Sequence, residues 1–549
     1  MAVRKWVICL RMKSGKRFSK QEIVFWVLFA GMAIYYGWRL FALTPWYDEL
    51  YTYYYFISRG PVYAAIHWPL PNNHVGYSVL SAALDLSGNS YIGLRGVSYL
   101  CALANLYLVF RIAGRWMKGW MPVSTVVLYL SANLVNQMAV QGRGYTLGIT
   151  CFLTAFFCMA KICEEGQVKK RYYVFFSLSL TLGLYAVTSN VYWVVPLCLA
   201  GGFYLLVRSL REGRKDQKLF LKTASGQKLL KLAGFSLAAA VLTIGLYTII
   251  WLAIGSNLLV KDTASIYYGL SHGKMILSAP FAAIGRGIQY MLDTPYIQSE
   301  ARSGFAGRLG EFLVTLSGYY FGFLAPAVVL VWIAGLLALL WKLVSQARSG
   351  EKAGMLLEWV LFLEILFVPV CLLIQCKRPY YRVFTYGGAL LALLVGWLLE
   401  EMIERIGARK GREGAGGKGR LAVLAVVAAL GVKCLFFSGY GSQYGDREHE
   451  IETVLSHGEI QKAENICVTD CNQQYLLHFL YGIRCENREI EGADMVILDK
   501  RMADPDFDEM VWEFYHYYDT VPWDYIDQSM ELVYESENYL LYQISEKER

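Results

Sequence analysis

The sequence predicts a polytopic α-helical membrane protein with a small α/β domain at its C-terminal end. Of its 549 residues, 56% are hydrophobic and only 17% are charged. Runs of about 20 apolar residues, each long enough to cross a bilayer, recur along most of the chain. Beyond residue 440 the composition becomes polar, with short alternating segments typical of strands. These observations exclude a soluble enzyme over most of the length.

Hydropathy predicts about eleven membrane spans. The predicted spans lie near 23–43, 93–113, 121–140, 144–162, 172–189, 191–209, 233–256, 322–343, 355–375, 383–400 and 421–438. The apolar stretch 311–345 is longer than one span needs, so it has room for an additional interfacial or re-entrant piece. The basic N-terminus is not followed by a small-residue cleavage site, so we expect the first span to be a retained anchor.

The loops rich in Lys and Arg predict the orientation of the chain in the membrane. They all fall on one predicted side, at 1–22, 115–120, 161–171, 208–231, 346–352 and 404–420. This side is cytoplasmic by the positive-inside rule, and an odd number of spans then places the C-terminus outside. The net charge of +8 is thereby explained without a nucleic-acid partner.

The predicted organisation has three parts. Residues 1–22 form a basic cytoplasmic segment, residues 23–440 form the membrane domain, and residues 441–549 form an extracytoplasmic domain. In the last part, "ENICVTDCNQQYLLHFLYGI" predicts a strand followed by a helix. "GADMVILDK" predicts another strand, and "MELVYESENYLLYQI" predicts two strands of a hairpin.

Two large loops of the membrane domain are predicted to face outward. In the loop 44–92, the apolar piece at 75–87 is too short to span and predicts an interfacial helix. The loop 257–312 is rich in Tyr, Gly and Arg and predicts a partly amphipathic helix.

Acidic and basic side chains collect at the outer ends of the predicted spans. Arginine forks bind phosphate in a bidentate manner, and a carboxylate can accept the proton of a hydroxyl group. This combination predicts chemistry on an anionic substrate carried by a lipid. The candidate residues are Asp48, Glu49, Asn72, Asn73, His74, Arg95, Arg143, Tyr145, Lys377, Arg378, Tyr381 and Arg382.

Each candidate also has a purely structural interpretation. Asp48 and Glu49 suit the first turn of an interfacial helix, where acids complement the helix dipole. The tyrosines at 51–55 are more typical of an aromatic belt at the lipid surface than of a sugar-binding platform. His74 suits a hydrogen-bonded interfacial histidine, and Arg143 suits a snorkelling arginine.

The order of several motifs resembles a known enzyme superfamily. "WYDELYTYYY" is followed by "NNHVGYSVLSAAL", then by "GNSYIGLRGVSYLCALANLYLVFRIAGR" and "NQMAVQGRGYTLGITCFLTAFF". This order is similar to the first third of the GT-C glycosyltransferases, specifically the dolichyl-phosphate-mannose protein mannosyltransferases and aminoarabinose transferases (PMT-like, ArnT-like). The resemblance is clearest over residues 20–165 and weaker in "CKRPYYRVFTYGGALLALL".

The resemblance implies a GT-C-like fold and transfer of a sugar from a polyprenyl phosphate at the outer leaflet to an acceptor, usually with inversion. By position, Asp48 matches the catalytic base, and Glu49 matches its partner, which orients the acceptor or a metal ion. "HVGY" lacks the prolines that relatives carry after the residue corresponding to His74, which puts its role in doubt.

The remaining cations are assigned to the donor by the same resemblance. Arg95 and Arg143 match arginines that the superfamily places near the site, beside Tyr145. Lys377, Arg378 and Arg382 are the candidates for the lipid phosphate.

Several alternatives stay open at the level of sequence. A divalent metal ion is compatible with the resemblance, but no dedicated ligand set is visible. The acceptor could be a protein, a glycan of the cell wall or a lipid. The aromatic segment 511–525 could bind that acceptor or pack within its own domain. A flippase of lipid-linked sugars and a glycan polymerase or ligase are alternative functions. The layout favours a bacterial plasma membrane and a role in cell-envelope glycosylation.

Overall fold

The computed structural model describes most of the chain. The described residues are 18–67, 73–217, 219–255, 297–349, 355–410, 415–436, 446–469, 471–485, 489–504 and 521–545, with isolated residues between 274 and 289. The candidate Asn72 and most of the predicted loop 257–312 lie outside the described residues. So does most of the aromatic segment 511–525.

The chain is predominantly helical from residue 20 to residue 436. The helices of this region are α1 (Lys20–Ala42), α2 (Tyr47–Tyr55), α3 (Pro61–Ile66), α4 (Val75–Asp85), α5 (Ser90–Trp116), α6 (Met121–Ser131), α7 (Asn133–Met138), α8 (Tyr145–Ile162), α9 (Lys170–Ala186), α10 (Val191–Asp216), α11 (Ala224–Gly255), α12 (Phe305–Phe321), α13 (Ala325–Ser349), α14 (Leu356–Gln375), α15 (Gly387–Lys410) and α16 (Ala415–Phe436). Each predicted span coincides with one of these helices, or with the pair α6 and α7.

Seven segments of the described residues are long and apolar enough to cross a membrane. They are Lys20–Ala42, Ser90–Trp116, Tyr145–Ile162, Thr188–Asp216, Ala224–Ile250, Phe305–Gln346 and Leu356–Gln375. The Phe305–Gln346 segment joins α12 to α13, so the long apolar stretch does contain an additional helix before the predicted span. The chain is therefore a multi-pass membrane protein, and the total of about eleven spans stays a prediction.

Local sequence signals explain where the first long helices begin. Ser19 accepts a hydrogen bond from the backbone N–H of Glu22, whose carboxylate accepts from the N–H of Ser19. This reciprocal pair is a capping box, and it satisfies two donors at the start of α1. The Asn89 side chain accepts from the N–H of Ile92 and so acts as the N-cap of α5, without a reciprocal bond.

In the described residues, the C-terminal domain contains a four-stranded sheet with helices packed against it. Its strands are β1 (Ile466–Val468), β2 (Met495–Asp499), β3 (Met530–Glu535) and β4 (Tyr539–Ile544), and its helices are α17 (Asp446–Leu455), α18 (Cys471–Tyr481) and α19 (Trp523–Ser529). The sheet order is β1-β2-β4-β3, with β1 and β2 parallel and the other pairs antiparallel. The predicted strand, helix, strand and hairpin are thus confirmed.

One apolar core is shared between the two domains. Leu50 and Ile57, in and just after α2, are buried in the same cluster as Leu476 and Phe479 of α18. Leu94 of α5 also belongs to this cluster. Helix α2 therefore lies between the membrane domain and the C-terminal domain.

Candidate functional site

Helix α2 presents two chemically different faces. Asp48, Glu49 and Thr52 have the spacing i, i+1 and i+4, so they lie on one side of the helix. Their side chains contact Arg95, Arg382 and Arg143 of the membrane domain. Tyr47, Tyr51 and the tyrosines that follow turn toward the C-terminal domain.

Glu49 forms a fully buried ion pair with Arg95 of α5. The Nε of Arg95 donates to Oε1 of Glu49 at 2.8 Å, and Nη2 donates to Oε2 at 3.0 Å. Neither side chain is exposed. The Nη1 of Arg95 also donates to the backbone carbonyls of Leu40 and Leu43, at 3.0 and 2.6 Å. The Arg95 side chain therefore binds both α2, at Glu49, and the C-terminal end of α1, at Leu40 and Leu43.

Two backbone groups complete the surroundings of Glu49. The N–H of Gly142 donates to Oε1 at 2.6 Å, and the N–H of Trp46 donates to Oε2 at 3.0 Å. A Cβ atom at position 142 would overlap the Leu94 side chain, so this close approach requires glycine. The helix-capping interpretation is therefore confirmed for Glu49, which accepts from Trp46 as a first-turn acid does.

Asp48 differs from Glu49 because part of its side chain is accessible. Its exposed fraction is 15%, and Oδ2 lies 3.0 Å from Nη1 of Arg382, in the loop between α14 and α15. The angles are not those of a hydrogen bond: both Oδ2 of Asp48 and Nε of Arg382 lack a hydrogen-bond partner within the described part of the chain. The Arg382 guanidinium also lies over the rings of Trp46 and Tyr380, at 5.5 and 4.8 Å from their centres.

The loop between α7 and α8 brings Arg143 and His74 to the same place. Nη1 of Arg143 donates to Oγ1 of Thr52 at 2.5 Å and to the carbonyl of Asp48 at 3.3 Å. The N–H of Gly144 donates to Nδ1 of His74 at 2.9 Å, and Nε2 of His74 lies 3.4 Å from Nη2 of Arg143. Both Arg143 and His74 are almost completely buried.

The environment of His74 favours its neutral form. Burial is the main cause, and with the nearby guanidinium groups of Arg143 and Arg382 it holds the pKa of His74 well below its ordinary value. Both ring nitrogens of His74 face donors: Nδ1 accepts from the N–H of Gly144, and Nε2 lies beside Nη2 of Arg143, which can only donate. The ring of Tyr145 packs edge-on against His74, with ring centres 4.9 Å apart.

The three cations predicted to bind the donor phosphate have different surroundings. Arg382 lies beside Asp48. Arg378 instead donates from Nε to Glu300 at 2.6 Å, and Arg308 donates to the other oxygen of Glu300 at 2.8 Å. Lys377 is buried. The structure therefore brings together Asp48, Glu49, His74, Arg95, Arg143, Tyr145 and Arg382, and it places Arg378 in a separate ion-pair cluster.

Sequence reasoning missed several residues that shape the site. Thr52 accepts from Arg143, and the N–H groups of Gly142 and Gly144 anchor Glu49 and His74. Trp46 supplies a ring beneath Arg382. The i, i+4 spacing of Asp48 and Thr52 could have indicated that Thr52 lies beside Asp48 on the same helix. Nothing local in the sequence distinguished Gly142 and Gly144 from other glycines.

The interpretation of the tyrosines at 51–55 as a lipid-facing belt is wrong for the central ones. Tyr53 and Tyr54 are buried. Tyr53 packs on Phe479, and Tyr54 packs on Tyr475, with ring centres 5.1 and 4.8 Å apart. These rings hold the C-terminal domain, because both partners belong to α18.

The described residues do not offer a ready metal site near Glu49. No group of three or more His, Cys, Asp or Glu side chains suited to a metal ion occurs within the described ranges. Both oxygens of Glu49 already accept from Arg95 and from backbone N–H groups. A cation bound there would lie against a guanidinium, so this donor set does not fit a divalent ion.

Comparisons with known proteins agree with this architecture. Residues 74–226 match the family model for dolichyl-phosphate-mannose-protein mannosyltransferase. The structure is similar to that of ArnT from Cupriavidus metallidurans bound to undecaprenyl phosphate, with a TM-score of 0.53 at 12% identity, over 95% of this chain and 98% of that chain. It also aligns with the oligosaccharyltransferase AglB from Archaeoglobus fulgidus in complex with an inhibitory peptide and a dolichol-phosphate, with a TM-score of 0.45 at 11% identity, over 88% and 70% of the two chains. No curated protein matches the sequence significantly.

The chain therefore has a GT-C-like fold, and the predicted resemblance to GT-C glycosyltransferases of the PMT and ArnT type is confirmed. The family match contains His74, Arg95 and Arg143. It begins after Asp48 and Glu49, so the assignment of these two acids depends on the geometry described above.

Proposed function

We propose that this protein is a membrane glycosyltransferase that transfers a sugar from a polyprenyl-phosphate-linked donor to an acceptor on the extracytoplasmic side of the membrane. The observation that carries the proposal is the contact between Asp48 and Arg382, in which a partly accessible carboxylate faces a guanidinium. The GT-C-like fold and the partial family match support the same reaction class. The ArnT structure contains undecaprenyl phosphate, which favours a lipid phosphate as the donor here.

The proposed reaction is a single displacement at the anomeric carbon. The acceptor oxygen forms a bond to this carbon as the bond between the carbon and the phosphate oxygen breaks, and the bonding electrons leave with the polyprenyl phosphate. Asp48 accepts the proton of the acceptor hydroxyl group. Because attack and departure occur on opposite sides of the carbon, the product has the inverted configuration.

The cations of the site stabilise the charge that develops on the leaving phosphate. Arg382 is the main candidate because it is close to Asp48 and its Nε has no hydrogen-bond partner among the described residues. Arg143 contributes a second positive charge close to Asp48, since its Nη1 donates to the carbonyl of Asp48 at 3.3 Å. Preplaced donors of this kind act strongly in a site with little water.

Glu49 and Arg95 act through their neighbours in this proposal. Both are fully buried, and their oxygens and nitrogens bind one another and the backbone. They would fix the position of α2, which carries Asp48, without contacting the substrate. This is a positioning role, and it differs from the direct contact with an acceptor or metal ion that the resemblance implies for Glu49.

The membrane location fits a donor whose lipid chain stays in the bilayer. The loops rich in Lys and Arg support a cytoplasmic N-terminus, and we propose on this ground that α2 and the C-terminal domain lie outside. A bacterial plasma membrane is the setting we propose. The acceptor is a hydroxyl-bearing protein, glycan or lipid.

A donor-turnover assay tests the proposal. Purified protein in nanodiscs would receive a panel of radiolabelled undecaprenyl-phosphate and dolichyl-phosphate sugars, and wild type would be compared with Asp48→Asn. We expect the variant to bind donor but to lose roughly 10²- to 10⁴-fold in turnover, the usual contribution of a general base. Asp527→Asn, at an exposed acid of α19, is the matched control and should behave as wild type.

Three outcomes would contradict the proposal in distinguishable ways. Full activity of Asp48→Asn would show that Asp48 is not the base. Turnover of none of the donors, together with lipid flipping in liposomes, would favour a transporter. Products that carry several sugars per transfer would favour a polymerase or ligase.

A further inference from the structure

The loop between α14 and α15, which carries Arg382, packs against α12. Tyr381, directly before Arg382, stacks its ring against Phe312 and Tyr319 of α12, with ring centres 4.8 and 4.7 Å apart. Phe312 and Tyr319 are seven residues apart, so they lie on one face of the helix. The Phe312 ring also packs against Phe384, with ring centres 5.9 Å apart. One face of α12 therefore contacts this loop on both sides of Arg382.

A buried tyrosine of α12 fixes the backbone at the end of the same loop. The hydroxyl group of Tyr320 donates to the backbone carbonyl of Phe384. Tyr320 is almost completely buried. A Cβ atom at Gly387, the first residue of α15, would lie 2.2 Å from the Tyr320 hydroxyl oxygen, so this close approach requires glycine. Because Phe384 is two residues after Arg382, the hydrogen bond holds the backbone next to the guanidinium.

The start of the loop is attached to the segment that precedes α12. The backbone N–H of Glu300 donates to the carbonyl of Cys376 at 2.7 Å. The carboxylate of Glu300 pairs with Arg378 of the loop and with Arg308 of α12. These ion pairs are partly exposed, so each contributes little. The buried contacts of α12 therefore provide most of the attachment.

We propose that Tyr320 is a positioning residue for Arg382, and that α12 holds the loop that brings this guanidinium to 3.0 Å from Asp48. The inference rests on the proposed function, in which Arg382 stabilises the charge that develops on the leaving phosphate. Such stabilisation requires a donor that is fixed in place before the reaction. A misplacement of about 1 Å can cost roughly 100-fold in rate.

The test compares two tyrosines that each lose only a hydroxyl group. Tyr320→Phe removes the hydrogen bond to Phe384 and keeps the ring. Tyr99→Phe is the matched control, because the Tyr99 hydroxyl donates to the carbonyl of Ala33 at 3.3 Å, between α5 and α1. Both substitutions are also made in the Arg382→Gln protein, since a residue that acts through Arg382 loses its effect when the guanidinium is absent.

We expect Tyr320→Phe to lower kcat by roughly 5- to 20-fold, with the KM for the lipid donor within about two-fold of wild type. In the Arg382→Gln protein, the same substitution should change kcat by less than about two-fold. Tyr99→Phe should leave kcat within about two-fold in both backgrounds. The N–H groups of Val383 and Thr385 are hydrogen-bonded within the loop, and their exchange should become faster in Tyr320→Phe alone.

A wild-type kcat for Tyr320→Phe would overturn the inference. Losses that multiply in the Arg382→Gln protein, or unchanged exchange in the loop, would also overturn it. If wild type turns over no donor, the proposed function fails, while the exchange measurement still decides whether Tyr320 holds the loop. If Tyr320→Phe does not fold, Phe312→Leu removes the ring that packs on Tyr381 and is subject to the same kinetic and exchange criteria.

Discussion

Asp48 and Arg382 approach to 3.0 Å, although Asp48 comes shortly after α1 and Arg382 shortly before α15. The contact joins the first turn of α2 to the loop between α14 and α15. Around it, Arg143 contributes a guanidinium from the loop before α8, and His74 contributes a ring from the position just before α4. The site is thus assembled from four separate parts of the sequence, each held by its own hydrogen bonds.

We expect Arg382 and Arg378 to respond differently to the same substitution. Arg382→Gln removes the guanidinium beside Asp48 and should lower donor turnover by roughly 10²- to 10³-fold, as the loss of one charge-stabilising donor does. Arg378 pairs with Glu300 and is about one-third exposed, so Arg378→Gln should change turnover by no more than roughly five-fold. The measurement is steady-state turnover of the lipid donor for each variant.

The two variants are matched because each removes one positive charge from the same loop. A larger loss in Arg378→Gln than in Arg382→Gln would show that the phosphate binds at the Glu300 cluster. It would also move the reacting centre away from Asp48.

The buried pair of Glu49 and Arg95 should affect stability as well as activity. Glu49→Ala leaves the Arg95 guanidinium buried without its carboxylate, which typically costs about 3–5 kcal/mol. The apparent Tm in detergent and the donor turnover should therefore fall together. For Asp48→Asn we expect lower turnover with little change in Tm, because Asp48 is partly exposed.

The comparison separates a positioning role of Glu49 from a direct catalytic one. If Glu49→Gln kept the wild-type Tm but lost turnover as completely as Asp48→Asn, Glu49 would contact the reacting groups, as the resemblance implies. The buried location of Glu49 favours the positioning role, in which Tm and turnover fall together.

The elements of the fold could be predicted because their signals are local. Apolar runs predicted the long helices, and alternating segments predicted β1, β2 and the β3–β4 hairpin. The acids of "WYDELY" were recognisable because costly charges beside a membrane span suggest a task. Such reasoning needs no knowledge of which distant residues come together.

The partners of these residues could not be predicted because they depend on tertiary contacts. Arg95 and Arg378 looked alike as cations at the outer ends of spans. Arg95 instead fastens Glu49, and Arg378 turns to Glu300. The tyrosines of α2 matched an aromatic belt, and a pattern within one helix cannot show that Tyr475 will cover them.

Gly142 should not tolerate even a methyl group. Gly142→Ala would place a Cβ atom against Leu94 and close to Oε1 of Glu49, so the loop must shift and its hydrogen bond to Glu49 must lengthen. Overpacking of this kind costs about 1–3 kcal/mol. We expect a lower Tm and a lower donor turnover, measured on the same detergent-purified samples.

Gly202→Ala provides the control for this glycine. No atom lies within 4 Å of a Cβ added at Gly202 in α10. Since alanine is the better helix former, this variant should keep the wild-type Tm or exceed it. Equal stability of the two variants would show that the approach of Gly142 to Glu49 is not needed.

The neutral state of His74 predicts how stability depends on pH. Its pKa in the folded protein is held well below the ordinary value by burial and by Arg143 and Arg382. In the unfolded chain the imidazole takes up a proton near pH ~6.5. Below that pH the unfolded state binds more protons, so stability falls as the pH falls, by up to about 1.4 kcal/mol per pH unit for one group. Above about pH 7.5 the effect is absent.

His74→Asn isolates this contribution, because asparagine does not titrate and its side-chain oxygen can accept from Gly144. Between about pH 7.5 and pH 5.5, the apparent Tm of wild type should fall more than that of His74→Asn. His478, whose pKa is lowered to about 4 by burial and by Arg484, changes stability with the same sign. It is present in both proteins, so the difference between them reports His74. Parallel pH profiles would show that His74 has the same pKa in the folded and unfolded protein, and would contradict the effect of burial on this ring.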